Sequence, residues 1–260
     1  MSELPGSLRE AVLDDGRVVV VKRGHAPGAS AAEAAGLRWL AEPGAVPIPA
    51  VHDHDDDRLV LDRVPDGRPS ASAAERLGRG LARLHAGGAP AFGAAPPGGP
   101  ADAWIGRAPM TNVESDDWAT WYAEHRVLPY VRLAVDAGTF DSEQATLFER
   151  ACARLPALTE PPARLHGDLW NGNVLWDGRE AWLIDPAAHG GHRETDLAML
   201  HLFGCPHLDR VLAAYQEAAP LADGWAERTG AHQLFPLLVH TVLFGQSYAG
   251  QAVAAARALG

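Results

Sequence analysis

The chain has 260 residues, 47% of them hydrophobic, enough for one large domain or two lobes around a real core. Its two cysteines, Cys152 and Cys205, show no CxxC spacing, which excludes a disulfide framework and a zinc knuckle. Lys and Arg number 22 against 33 Asp and Glu, a net charge of −11, and that balance excludes nucleic acid as the main partner because a phosphate backbone calls for a basic face.

From the N-terminus, Ala11–Arg23 places Asp15-Gly16 between two β-rich runs, a hairpin signal. Val18–Val21 is a buried strand with Lys22 at its end. Ala31–Leu40 is expected to be a helix with Ser30 as its N-cap, stopped by Pro47 and Pro49. Arg58–Val64 is a further strand, closed by a Pro65-Asp66-Gly67 turn. Ala73–His85 is amphipathic, with Leu77, Leu81 and Leu84 at helical spacing. Ala89–Pro100 is a loop, and Asp116–Ala137 and Ser142–Leu155 are helices. Pro161–Gly191 interrupts the helical pattern with short strands, Val174–Trp176 and Ala181–Ile184, around an Asp177-Gly178 turn. Thr195–Phe203, Asp209–Ala218 and Ala231–Ala256 complete the helices. The expected organisation is α+β. Residues 1–64 form a β-rich first part with one helix, and residues 65–260 a larger helical part, joined near Val64–Gly67. No apolar run approaches the roughly 18 residues of a membrane span, and Met1–Glu10 lacks a leader pattern, so a soluble, cytoplasmic protein is expected.

Chemistry concentrates in His166–Asn173, HGDLWNGN. Asp168 precedes Asn173 by five positions, and Asp185 follows a short hairpin in LIDP. Phosphoryl transfer needs a carboxylate beside the attacking hydroxyl and hard oxygen ligands for Mg²⁺, and kinase-like sites supply them in this order. Asp168 would orient the hydroxyl and take its proton, while Asn173 and Asp185 would hold the metal. Lys22, on a strand end, would reach the phosphates of ATP, positioned by Glu33 on the next helix. A glycine-rich phosphate cover is poorly marked, with only Gly6 in place. Trp170, between Asp168 and Asn173, is either a core aromatic or a wall for the apolar face of a sugar. His85 closes an apolar helix and has the setting of a structural residue.

HGDLWNGN and LIDPAAHGGHRETDLAML (Leu183–Leu200) together resemble the signature of the fructosamine/ketosamine 3-kinases. The resemblance runs on through Trp104-Ile105-Gly106, Asn112, Trp118, Glu124-His125-Arg126, Ala214–Glu217 and Leu243-Phe244-Gly245. It departs at Ala108-Pro109-Met110, where relatives commonly have Thr-Pro-Gln. It implies a two-lobed, protein-kinase-like fold with a hinge at Leu61, Asp62, Arg63 and Val64 that meets the adenine of ATP. It also implies that Asp196 braces the catalytic loop, with His166 in support. The implied reaction is ATP- and Mg²⁺-dependent phosphorylation of the 3-hydroxyl of a ketosamine, small or protein-bound, by a protein expected to be a monomer. Two rivals are a related kinase acting on an aminoglycoside, choline or a free sugar, and a non-catalytic nucleotide-binding pseudokinase. A cationic substrate would use an acidic pocket built from Asp102, Glu114, Asp116 and Asp117.

Overall fold

The computed structural model describes residues 8–259. Gly6 lies outside the described residues. The chain starts with a hairpin, β1 (Leu8–Val12) and β2 (Val18–Arg23), turning at Asp15-Gly16 with Gly16 at φ 84°. With β3 (Val51–His54) and β4 (Arg58–Asp62) it forms an antiparallel sheet in the order β1-β2-β4-β3. In β2 the register sets Lys22 opposite Leu59, with Val19 and Val21 buried. Helix α1 (Ala29–Ala41) lies on this sheet through Ala34 and Leu37 against Leu59 and Leu61. Gly28, at φ 74°, is the residue before its first turn. Ser30 is inside the helix and buried, with its hydroxyl unpaired, so it is not the expected cap.

The larger part is mainly helical. Helix α2 (Ala71–Ala86) starts at Ser70, whose hydroxyl accepts from the Ala73 N–H at 3.3 Å. It buries Leu77, Leu81 and Leu84 as the spacing predicts, against Val211 and Tyr215 of α7 (Leu208–Ala218). A hairpin that the sequence pattern did not reveal, β5 (Asp102–Ile105) and β6 (Ala108–Thr111), follows the Pro/Gly/Ala loop. Pro109 lies within β6, a residue that argues against a strand unless the strand is an edge. The single helix expected over Asp116–Ala137 is three pieces: α3 (Trp118–Tyr122), a π-helical turn over Ala123–Val127, and α4 (Leu128–Asp136). Helix α5 (Ser142–Cys152) carries a capping box from Asp141 and Gln144. Two short antiparallel ladders follow, β7 (Ala163–Leu165) with β10 (His189–Gly191) and β8 (Val174–Trp176) with β9 (Ala181–Leu183).

Helix α6 (Glu194–Phe203) leads to α7. The helix expected over Ala231–Ala256 divides at Gly245, φ 63° and ψ −137°, into α8 (Trp225–Phe244) and α9 (Gln246–Leu259). Trp118, Trp121, Tyr122, Phe148 and Phe235 make the main core between α3, α5, α8 and α9. Both cysteines are free thiols, partly buried, and burial pushes each up to about 11, so neither is poised as a reactive thiolate. Among the described residues no helix is long and apolar enough to cross a membrane. The architecture is α+β, a small antiparallel sheet with one helix joined to a larger helical part.

Candidate active site

Two ladders aim the reactive residues at one point. The loop His166–Asp168 leaves β7, and Ala187-Ala188 enter β10, its partner. Asn173 immediately precedes β8, Ile184 follows β9, and the Ile184 N–H donates to the Asn173 carbonyl at 3.1 Å. Hence Asp168, Asn173 and Asp185 share one end of the paired strands. The Asn173 amide donates from Nδ2 to the Asp168 carbonyl (2.8 Å), to Asp168 Oδ2 (2.9 Å) and to the Asp185 carbonyl (3.4 Å). That leaves Asn173 Oδ1 as the acceptor the amide can offer a cation. Asp185 holds a left-handed backbone, φ 52°, which Asp tolerates better than most residues.

The loop is anchored from beneath. Asp196, fully buried on α6, accepts from the backbone N–H of His166 (2.8 Å) and of Gly167 (2.9 Å) and faces His85 Nε2 at 3.2 Å. His85 is held in turn by the Tyr215 hydroxyl at 2.8 Å. His166 Nε2 lies 2.9 Å from the Ile184 carbonyl, tying the loop to the strand that carries Asp185. Gly167 sits at φ 80°, and a Cβ there would meet the Ala187 carbonyl oxygen at 2.1 Å, so only glycine fits.

Lys22 Nζ is 2.7 Å from Glu33 Oε2 and 3.0 Å from Asp185 Oδ1. Burial works against the ammonium, but the two carboxylates outweigh it and hold the lysine above its usual range. Burial pushes Glu33 upward, with Lys22 pulling it back. Helix α1 comes close enough for this pair because Gly36 faces Pro186 and Ala188, where a Cβ would stand 3.2 Å from the Ala188 methyl. Burial also raises Asp168, to about 7; its bond from Asn173 opposes the rise and the negative charge of Asp185 adds to it. A carboxylate so placed is matched to proton transfer near neutral pH.

These groups face one cavity of about 380 Å³, lined by Lys22, Glu33, Asp168, Asn173, Asp185 and Trp170. Trp170 is 36% exposed, with its ring edge-on to Phe203 at 6.2 Å, so it is a wall of the cavity and not a core residue. His25, Trp104 and Arg107 also line it and were not singled out from the sequence as site residues. Trp104 and Arg107 belong to the β5–β6 hairpin, and the only signal for them was the Trp104-Ile105-Gly106 segment. The hinge residues are not in the lining. Leu61 packs in the core under the sheet, Asp62 pairs with His52 (2.6 Å), and Arg63 pairs with Glu10 and Asp66. The N–H groups of Asp62 and Arg63 are given to the carbonyls of Ala50 and Val18. Asp102, Glu114, Asp116 and Asp117 do not line the cavity either, and Asp117 caps α3 through the Thr120 N–H.

A second buried cluster, His192, Glu194 and His232, brings ligand-type atoms within 4.8 Å of one another. Arg228 already donates two N–H groups to the Glu194 carboxylate, with Nε at 3.0 Å. A divalent cation there would sit beside a guanidinium, so the trio is a charge-balanced brace for the start of α6.

The profile of the family described as "Fructosamine kinase" matches residues 13–259. A Thermus thermophilus protein named a probable ketoamine kinase is 36% identical, over 90% of this chain and 83% of its own. The chloroplastic protein-ribulosamine 3-kinase of Arabidopsis thaliana is 29% identical, over 90% and 73%. A crystal structure from Thermobifida fusca, assigned as a fructosamine-3-kinase, superposes with a TM-score of 0.90 at 48% identity, covering 97% of this chain and 88% of that one. A gentamicin complex of an aminoglycoside phosphotransferase, at 13% identity and a TM-score of 0.61, shares the protein-kinase-like fold. With almost its whole length matched by one profile, and the loop, metal-type carboxylate and lysine pair assembled in one cleft, the chain belongs to the fructosamine kinase family, phosphotransferases that act on a sugar hydroxyl.

Proposed function

We propose that the protein transfers the γ-phosphoryl group of ATP to the 3-hydroxyl of a ketosamine of the ribulosamine or fructosamine type. The observation that carries this is the single cavity in which the Lys22–Glu33 pair, the Asp168–Asn173–Asp185 group and the exposed face of Trp170 meet.

Asp168 Oδ2 is held by Asn173, leaving Oδ1 to accept the hydroxyl proton of the substrate. The hydroxyl oxygen then attacks the γ-phosphorus, the bond to the β-phosphate oxygen breaks, and ADP leaves. Lys22 places its charge beside the transferred phosphates, and Glu33 fixes the lysine stem. Asp185 and Asn173 Oδ1 form a hard oxygen set of the kind Mg²⁺ takes. When bound, Mg²⁺ neutralises charge on the phosphate oxygens. Trp170 offers its indole to the C–H face of the ketose, while the ketose hydroxyls turn to Asp168. The adenine is assigned to the segment just after β4, where the N–H groups of Asp62 and Arg63 are already engaged and Val64 lies beyond the strand. The two-lobe division falls in the Val64–Gly67 segment that follows. Support for the substrate class comes from the ribulosamine 3-kinase of Arabidopsis and the ketoamine kinase of Thermus named above. The acidic residues that would favour a cationic antibiotic or choline lie outside the cavity.

The test is a coupled ADP-release assay with ribulosamine, fructosamine, an aminoglycoside panel and choline. Turnover is expected with the first two. Turnover confined to an aminoglycoside or choline would refute the substrate, and none with any would refute the kinase activity.

A further inference from the structure

Beyond Trp170 the structure carries an uninterrupted path of aromatic rings that the reaction just described does not use. Trp170 meets Phe203, the last residue of α6, at 6.2 Å between centroids. Phe203 lies 4.4 Å from the His240 ring and 6.4 Å from Tyr248. His240 is 5.5 Å from Phe244 and 4.9 Å from Tyr248, and Phe244 and Tyr248 are 5.8 Å apart. These rings come from three helices that end or begin at one place: α6 stops at Phe203, α8 stops at Phe244, and α9 begins two residues before Tyr248. Phe244 is 58% exposed, against 36% for Trp170.

The path is joined to the catalytic cavity at two points. Trp170 is one, since it lines the cavity and touches Phe203. The other is the β5–β6 turn: Gly106 and Arg107 line the cavity, and Gly106 packs toward Leu243, the neighbour of Phe244. Apolar rings in water are costly unless something covers them part of the time. His240 adds no positive charge, because burial pushes its imidazole down while the Pro236 carbonyl pulls weakly the other way. A string of π faces without a competing cation attracts an apolar group, or an ammonium over a ring face.

We propose that Phe203, Phe244 and Tyr248 form the subsite for the amine-derived part of the substrate, and that the enzyme favours adducts whose amine carries an aromatic or long apolar substituent. This rests on the ketosamine reading above. In such an adduct the nitrogen is on C1 and the accepting hydroxyl on C3. With the hydroxyl at Asp168 and the ketose on Trp170, only the three carbons C1, C2 and C3 separate the nitrogen from the reacting oxygen. Its substituent must then leave the cavity past Trp170, onto Phe203 and the exposed ring of Phe244. Phe203, Phe244 and Tyr248 are not in the lining of the catalytic cavity, so they set specificity and are not catalytic residues.

The test uses the full chain with two ribulose adducts, one of methylamine and one of benzylamine, in steady-state kinetics. Wild type is expected to show the higher kcat/KM for the benzylamine adduct. Phe244→Ala is expected to lower kcat/KM for that adduct about two- to tenfold, the scale of one aromatic contact, through KM, and to leave the methylamine adduct and the KM for ATP unchanged. Phe203→Leu, which keeps apolar volume against the fold, is expected to act in the same direction. Phe244 is exposed enough that its removal does not open the core. Equal losses on both adducts, or no loss on either, would overturn the subsite. A wild type that phosphorylates neither adduct would overturn it together with the ketosamine reading, and that result is distinct because it appears before any variant is made.

Discussion

Asp196→Asn tests how the catalytic loop is held. The carboxylate accepts from two backbone N–H groups on its separate oxygens, His166 at Oδ2 and Gly167 at Oδ1, and Oδ2 also faces His85. Asparagine keeps the shape but offers one oxygen and one NH₂, so one of the loop donors must face another donor. A hydrogen bond to a charged acceptor contributes about 1.5–3 kcal/mol, and a buried donor left unpaired costs about 1–3 kcal/mol. Because the site is fully buried, water cannot repair the loss. The expected destabilisation is about 2–4 kcal/mol, equivalent for a domain of this size to a Tm lowered by about 5–15 °C. The loop carries Asp168 only one residue after Gly167. A displacement of about 1 Å there should lower kcat on the order of a hundredfold while KM for ATP changes little. The assay is thermal unfolding together with steady-state kinetics well below the transition. An unchanged Tm and kcat would refute the anchoring argument. A lowered Tm with intact kcat would show that Asp196 supports the core and not the position of the loop.

Four further outcomes are expected. Asp168→Asn should preserve the fold and ATP binding while turnover falls by orders of magnitude, because the hydroxyl loses its proton acceptor; near wild-type kcat would remove Asp168 from that role. Asp185→Asn keeps a residue that tolerates the left-handed backbone yet removes a metal-type charge. Calorimetric titration should show ATP binding that no longer gains from Mg²⁺, and an undiminished gain would make Asp185 a turn residue. Trp170→Ala should raise KM for a ketosamine by a factor equivalent to about 1–3 kcal/mol and leave KM for ATP nearly unchanged, whereas a collapse of thermal stability with KM intact would contradict its place on the cavity wall. The buried histidines should withdraw stability in acid: burial pushes His189 and His192 down to about 3, against 6.5 for the free imidazole. Between those values the unfolded chain binds protons that the folded one refuses. The stability they support is therefore complete above the unfolded value and is lost as pH falls toward the folded one, at about 1.4 kcal/mol per histidine per pH unit. Because Asp168, raised to about 7, works in the opposite direction, the test is comparative: between about pH 7.5 and 5.5 His192→Gln should lose less urea midpoint than wild type, and an identical pH dependence in the two would refute this.

What the sequence determined by itself is local. HGDLWNGN and LIDP place an Asp, an Asn and a second Asp around one short hairpin, and the strands between them, Val174–Trp176 and Ala181–Leu183, pair as the Asp177-Gly178 turn requires. The Leu77, Leu81 and Leu84 stripe likewise shows which face of α2 is buried, because helical spacing is a property of a few consecutive turns. The tertiary structure decided the rest. Apolar helical patterning continues across residue 245, and the positive φ of Gly245 separates α8 from α9. Ser30 has the chemistry of a cap, yet Gly28 takes that place because helix α1 starts two residues earlier, at Ala29. The β5–β6 hairpin that carries Trp104 and Arg107 to the cavity has a proline in one strand and no strong alternation, so its pairing depends on neighbours distant in the chain. The path from Trp170 to Phe244 spans more than seventy positions and has no period at all. A side chain's partner across the fold is set by how whole helices pack, and that information is not contained in any short window of residues.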